Sequence, residues 1–249
     1  ISASFISPWL GGWRETFFLY GIIAAAFSIP WIFTRTQSGD KTTPSLGSGQ
    51  DSDTGNLRKI SKIRNLWLLG LAMLAINGAV QGLLGYLPLY LRGIGWEAGR
   101  ADSLAASFHL ASMVFVIPIT LLSDKLGMRK RIVIIAASIA ALSIGLIFFL
   151  RGNWLWGAVL AAGFARDAMM AIMISMTVQT KGVGKAFAGL ATGFVLIFAG
   201  IGSLISPPLG NALAEITPNV PFLFWGVLCA AGVISVAALK EHRVIWGAE

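Results

Sequence analysis

Seven long apolar runs, separated by short polar segments, define the pattern of this chain. They lie at 15–34, 66–91, 103–123, 132–150, 154–178, 187–211 and 221–239. A helix needs about 20 residues to cross a hydrocarbon core about 30 Å thick, since each residue advances it about 1.5 Å. Backbone polar groups in lipid must be satisfied internally, and these runs are too long and continuous for barrel strands. The pattern therefore predicts an all-α, polytopic membrane helical bundle.

Composition supports this prediction and narrows the chemistry. Only 12% of the residues are charged and 56% are hydrophobic, with a mean hydropathy of +0.76, whereas soluble domains carry about 25% charged residues. The single cysteine, Cys229, lies in the last apolar run, which excludes an intrachain disulfide and a cysteine-cluster metal site. The sequence has no phosphate-binding loop of the form G-x-x-x-x-G-K-[ST]. We expect no metal, no cofactor and no direct use of ATP.

The net charge of +8 has its explanation in the loops. Alternate loops, at 35–65, 123–131, 179–186 and the C-terminal tail, carry fourteen of the nineteen basic residues. Lysine and arginine concentrate on the cytoplasmic side of membrane proteins. The pattern predicts an integral protein of the plasma membrane with a cytoplasmic C-terminus. The basic residues then contact anionic membrane lipids, and no nucleic-acid partner is expected.

An internal repeat indicates two homologous halves. The segment "ISPWLG" at 6–11 returns as "ISPPLG" at 205–210, and "FFLYGIIAAA" at 17–26 as "FLFWGVLCAA" at 222–231. Repeats spaced by about 200 residues in a helical membrane protein are typical of transporter halves. If Pro8 and Gly11 are equivalent to Pro207 and Gly210, an intact protein has twelve spans and this chain holds the last seven.

The repeat divides the chain into three parts. Residues 1–34 are predicted to hold the end of the fifth helix and the sixth helix, and 65–249 the second six-helix half with a short tail. Residues 35–64 form a flexible cytoplasmic linker rich in Gly, Ser, Thr and Asp. Near its end Leu57, Ile60 and Ile63 share one face among basic residues. Both an amphipathic helix on the membrane surface and a solvated linker end fit this pattern.

Two motifs carry a resemblance to a known family. The segment "TLLSDKLGMRKR" at 120–131 resembles the cytoplasmic loop of the major facilitator superfamily, Gly-x-x-x-Asp-Arg/Lys-x-Gly-x-Arg/Lys. Asp124, Lys125, Gly127 and Arg129 match, and Thr120 stands where the first glycine is usual. The resemblance implies the fold of that superfamily, with this loop as a latch between conformations.

The second motif lies near the start of the chain. The segment "SPWLGG" at 7–12 is similar to the Gly-Pro-x-x-Gly-Gly motif of the family's fifth helix: Pro8, Gly11 and Gly12 match and Ser7 replaces the first glycine. In the family this motif is associated with exporters and antiporters.

Two full charges lie in the middle of the run 154–178. Arg166 is about 18 Å along the helix from Trp154. Insertion of each such charge facing lipid costs roughly 2.5–3.5 kcal/mol, so Arg166 and Asp167 should face the bundle interior. Adjacent helical residues are about 100° apart, so each side chain is expected to have a partner of its own.

The resemblance places this run as the tenth helix, one of those that line the family's central cavity. Arg166 looks like the second-half counterpart of the family arginine of the fourth helix. We interpret Arg166 as a residue that binds a substrate anion or takes part in coupling, and Asp167 as a proton carrier or charge partner. A permanently paired Arg and Asp that fix helix packing would produce the same pattern.

Three further polar residues are candidates for the transport path. Asn77 and Gln81 are spaced i,i+4 in the seventh helix, among glycines and before Pro88, as in a deformable helix that lines a cavity. Interhelical hydrogen bonding is the alternative. His109 could titrate near neutral pH or serve as a hydrogen-bonded packing residue.

These observations favour secondary active transport of a small solute by alternating access, coupled to protons, with efflux or antiport as the preferred direction. The alternative is an organic-anion exchanger or uniporter that uses Arg166 without protons. A membrane enzyme or receptor is the remote alternative, because the sequence shows no catalytic cluster and no large extramembrane domain. We expect a monomer that is not an enzyme.

Overall fold

The computed structural model describes residues 7–33 and 59–240, without the side chains of residues 7, 31–33, 185 and 186. Every regular element in these two ranges is a helix, so the all-α prediction is confirmed. Most of the predicted linker, including Leu57, and the tail after Lys240 lie outside the described residues. The chain divides into two compact units, Ile1–Thr54 and Gly55–Glu249, and each is described by itself.

The first unit contains a short helix and a long one. Helix α1 spans Ser7–Leu10 and α2 spans Trp13–Phe33. Pro8 lies in α1, and Gly11 between the helices has a φ of +92°, a conformation that glycine adopts without strain. The next residue, Gly12, offers its carbonyl oxygen to the Thr16 hydroxyl at 2.9 Å. The glycines of the predicted "SPWLGG" motif therefore form the turn that starts α2.

The second unit contains seven helices from Arg64 onward, after a helical turn at Lys59 and Ile60. Their bounds are α3 Arg64–Gly93, α4 Ala98–Leu126, α5 Arg129–Leu146, α6 Trp154–Gly163, α7 Arg166–Val178, α8 Gly184–Ala212 and α9 Val220–Ala237, with a 3-10 turn at Leu213–Glu215 between α8 and α9. Five segments are long and apolar enough to cross a membrane: Arg64–Gly93, Ala98–Leu126, Trp154–Val178, Phe187–Glu215 and Val220–Ala237. The other two predicted runs are also helical, in α2 and in α5, whose first three residues are basic.

Glycines set the distance between the central helices. Helix α3 packs mainly against α8 and α9, and α9 also packs against α5. A Cβ on Gly202 of α8 would lie 2.2 Å from the carbonyl oxygen of Leu74, and one on Gly210 would lie 2.3 Å from the ring of Trp225. The predicted motif residue Gly210 thus makes room for a fully buried indole, while Pro207 lies inside α8.

The end of the predicted linker is packed rather than solvated. The Ile60 side chain is buried in the core of the second unit, and Lys59 and Lys62 beside it are exposed. Ile63 packs against the same core, next to Gly182. The structure therefore favours an ordered end with its apolar face against the bundle.

Candidate functional site

The span at 154–178 is broken in its middle, where a single helix was predicted. Helix α6 ends at Gly163 and α7 begins at Arg166; Ala165 between them has φ −117° and ψ 8°, outside the helical region. A Cβ on Gly163 would lie 2.4 Å from the carbonyl oxygen of Phe108, so the backbone of α4 touches the end of α6. The break therefore lies in contact with α4, and the hydrophobic pattern of a single helix cannot reveal a contact with another helix.

Ser112 of α4 caps the second half of this span. Its hydroxyl accepts a hydrogen bond from the backbone N–H of Asp167 at 3.0 Å and donates one to Oδ2 of Asp167 at 2.8 Å. The first N–H groups of a helix lack partners within it, and a carboxylate in the first turn is favoured by the helix dipole. Ser112 is completely buried. The sequence reasoning missed this residue, since its position one turn after His109 was the only available signal.

Arg166 forms an ion pair with Oδ1 of Asp167. The expectation that each charge has its own partner is therefore wrong for Arg166, which pairs with Asp167. Asp167 has a separate partner only at Oδ2, which bonds to Ser112. The angular argument applies to side chains that extend straight out, whereas the long arginine side chain curves back around the start of α7. The Asp167 side chain is 37% exposed in this chain.

His109 lies close to this pair without a hydrogen bond to it. It is exposed on α4, three residues before Ser112, and interacts electrostatically with Asp167. Its ring also meets the ring of Phe108 edge to face at 5.5 Å between centroids. The structure thus brings His109, Arg166 and Asp167 together around Ser112.

A small cavity beside Arg166 lies between α7 and α3, which also pack against each other. Its wall contains one charged and one amide side chain, and the remaining lining residues are apolar. The lining residues are Met73, Ile76, Asn77, Val80, Arg166, Met169, Met170 and Met173. Asp167 is absent from this wall, so the two members of the ion pair face different neighbours.

Asn77 forms the interhelical hydrogen bonds that were one alternative, and it also lines the cavity. Its amide group donates to the carbonyl oxygen of Ala199 at 3.2 Å and to the hydroxyl of Ser203 at 2.7 Å, both on α8. A carbonyl oxygen can only accept, so these bonds fix which end of the amide points to α8. The other end of the amide is an oxygen, which can only accept hydrogen bonds. Gln81 is exposed and does not line this cavity.

The predicted latch lies at the other end of α4. Arg129 donates to Asp124 at 2.7 Å and to the side-chain oxygen of Gln179 just after α7. Gly127 ends α4 with a φ of +62°, while Lys125 in the last turn is exposed. Gln179 was not foreseen, because only the fold brings it to the loop. Arg129 therefore joins the ends of α4 and α7.

Comparison with known proteins identifies the family. The model of the Major Facilitator Superfamily matches residues 1–188 and, in an overlapping match, 104–244. The multi-drug resistance efflux pump PmrA homolog of Lactococcus lactis is 29% identical over 188 residues, covering 72% of this chain and 45% of that protein. The inner membrane transport protein RhmT of Escherichia coli is 26% identical over 214 residues, covering 80% of this chain and 49% of that protein.

A solved structure agrees in fold. The crystal structure of the Escherichia coli fucose:proton symporter FucP superposes with a TM-score of 0.74 at 18% identity, over 92% of this chain and 56% of that one. The likeness at this identity concerns the fold alone. The chain spans about half the length of the relatives it matches.

Proposed function

The chain belongs to the Major Facilitator Superfamily, and we propose that it serves the transport of a small solute by alternating access, with protons coupled through Asp167. Members of this family are membrane transporters and not enzymes. In such transporters two six-helix halves rock about a central site near the middle of the membrane. The ion pair at the middle of the span 154–178 is the observation that carries the proposal.

The ion pair links protonation to the cavity by charge balance. An uncompensated charge in a medium of low dielectric constant is costly, so Arg166 and Asp167 stabilise each other while both are charged. A proton on Asp167 removes this compensation and leaves the guanidinium, which faces the cavity, without its counter-ion. The charge available to a solute at Arg166 therefore depends on whether Asp167 carries a proton.

Efflux or antiport remains our preferred direction. It is supported by the "SPWLGG" segment and by the likeness to a protein described as a multi-drug efflux pump. The loops rich in lysine and arginine support a plasma-membrane protein with its C-terminus in the cytoplasm. We propose that the transporter is a monomer.

Transport without protons is the second candidate. Arg166 lines the cavity and Asp167 does not, which favours an exchanger or uniporter that binds an organic anion at the guanidinium. In that case Asp167 only holds Arg166 in place. Counterflow that does not depend on pH in the wild type and in D167N would favour this candidate.

The test uses the full-length gene product in proteoliposomes with an imposed pH gradient. Radiolabelled benzoate and ethidium serve as anionic and cationic probes. We expect gradient-driven transport of one probe, abolished in R166A and no longer driven by the gradient in D167N. The control is D102N, which alters a carboxylate near the N-terminal end of α4 that pairs with Arg92 at 2.5 Å. Transport by D167N with the wild-type rate and pH dependence would exclude Asp167 as the proton carrier.

A further inference from the structure

The bonding of Ser112 differs from that of other hydroxyl groups in these helices. In helices, serine and threonine hydroxyls commonly donate to the carbonyl oxygen four residues earlier. The helical residues that do so here are Thr16, Ser28, Ser103, Thr120, Thr177, Ser203 and Ser235. Ser112 instead donates to Asp167 on another helix. The oxygen four residues before Ser112 is the carbonyl oxygen of Phe108, which the Ser112 hydroxyl does not contact as a donor; it accepts the helical N–H of Ser112 and has a second lone pair.

That carbonyl oxygen lies at a close contact of α4 with the broken span. The Phe108 carbonyl oxygen is the atom that a Cβ on Gly163 would meet at 2.4 Å. A change of partner by the Ser112 hydroxyl, from Asp167 to Phe108, would therefore act where α4 touches the end of α6.

The two oxygens of Asp167 differ in their capacity to hold a proton. Oδ1 faces the guanidinium of Arg166, which has only donors, so a proton there would face another proton. Oδ2 faces the Ser112 hydroxyl, whose oxygen can accept as well as donate. A proton arriving from water is best held on Oδ2, with its O–H directed at Ser112.

We propose that Ser112 is a positioning residue that reports the charge of Asp167 to α4 by reversing its hydrogen bond. With Asp167 ionised, Ser112 donates to Oδ2. With a proton on Oδ2, the carboxyl group donates to Ser112, and the Ser112 hydroxyl turns to the Phe108 carbonyl oxygen. One proton enters from water and no covalent bond within the protein breaks. The proposal rests on the proposed role of Asp167 as proton carrier.

Few charged groups in the helices around Asp167 could influence its protonation. The groups that interact with Asp167 are Arg166 on its own helix and Ser112 and His109 on α4. In the described parts of α3, α5 and α8, which also pack against α7, lysine and arginine occur only in the first or last turn and carboxylates are absent. His109 stays in place in every variant below, so its contribution is common to all.

The test reads the proton directly and needs no substrate. Infrared difference spectra of the purified full-length protein are recorded across pH, and the protonated carboxyl band of Asp167 is identified by its loss in D167N. Hydrogen bonds to charged groups contribute about 1.5–3 kcal/mol, which corresponds to about one to two pH units. We expect S112A to move the midpoint of this band upward by about one pH unit and to change its frequency. S112T, which keeps the hydroxyl, should restore the wild-type midpoint.

The matched control is S103A, on the same helix, which removes a hydroxyl bonded at 2.7 Å to the Gly99 carbonyl oxygen of its own helix. Its midpoint should equal that of the wild type. If S112A and S103A both titrate like the wild type, the role of Ser112 is refuted while the proton carrier stands. If no band is lost in D167N at any pH, the proposed function and this inference both fail.

A distance measurement tests the link to helix position. Nitroxide labels at L110C on α4 and L160C on α6, both exposed positions, are placed in a C229A background. We expect the distance between the labels to change with pH in this background and to stay constant when S112A is added. An unchanged pH response in S112A would refute the link.

Discussion

Gly163→Ala tests the close contact between α4 and the end of α6. The added Cβ would lie 2.4 Å from the Phe108 carbonyl oxygen and 2.9 Å from its Cα, whereas ordinary contacts begin near 3.4 Å. Both neighbours are backbone atoms, so α4 must withdraw by about 1 Å. Ser112 lies one turn along α4, and its 2.8 Å bond to Asp167 would lengthen beyond the range of a hydrogen bond. Overpacking of this kind costs about 1–3 kcal/mol.

The control for Gly163→Ala is Gly157→Ala on the same helix. A Cβ on Gly157 would meet nothing within 4 Å, and replacing glycine by alanine inside a helix stabilises it by up to about 1 kcal/mol. Thermal unfolding of the full-length protein in detergent, followed by intrinsic fluorescence, should therefore shift in opposite directions for the two variants. The G163A variant should also show the raised Asp167 midpoint of S112A. Equal stability of the two alanine variants would refute the argument that this contact holds α4 in place.

Three further changes test separate parts of the second unit. Arg129→Gln removes the ion pair with the half-exposed Asp124. Exposed pairs contribute about 0–1 kcal/mol, so we expect the free energy of unfolding to change little, while cysteine-accessibility labelling shows an altered balance of conformations. A wild-type labelling pattern would contradict a latch. Trp225→Phe removes the indole hydrogen bond to the Ser206 carbonyl oxygen at 3.3 Å and leaves a void. The free energy of unfolding should fall by about 1–3 kcal/mol. A denaturation curve that shows no such fall would refute this prediction. Asn77→Leu removes two hydrogen bonds to α8. We expect the free energy of unfolding to fall by about 1–2 kcal/mol and transport of the probe that the wild type carries to be lost. Transport at the wild-type rate would exclude Asn77 from the transport path.

The spans and the positions of the two charges within one of them were predictable because their signals are local, whereas the pairing of the charges was not. Run length indicated seven helical runs, since an apolar stretch of about 20 residues is typical of a membrane span, although the run 154–178 contains two helices. The position of Arg166 and Asp167 within the run 154–178 pointed to the interior, because charges facing lipid are costly. The loop residues Asp124 and Arg129 were recognisable from their spacing, and the structure joins them in an ion pair.

The partners were not predictable because they come from other helices. The break after Gly163 leaves no trace in hydropathy, as Phe164 and Ala165 are as apolar as the residues around them. Ser112 has the same local appearance as the serines that bond within their own helix. Gln81 follows Asn77 at helical spacing, yet only Asn77 lines the cavity. Sequence patterns give the face of one helix, whereas a site requires the faces of several.

The division of the ion pair between two neighbours bears on whether it transports or merely packs. A pair that only fixed packing would be expected to bury both charges between helices and to satisfy them there. Here Arg166 lines the cavity toward α3 while Asp167 is bonded to α4. In the proposed function, a solute at the guanidinium and a proton at Oδ2 would act on opposite sides of one ion pair, and the binding of each would change the binding free energy of the other. Replacing the pair by apolar residues of similar size separates the two roles. In R166M/D167L we expect helix packing to be maintained, with the stability of the protein kept or raised, and transport to be lost.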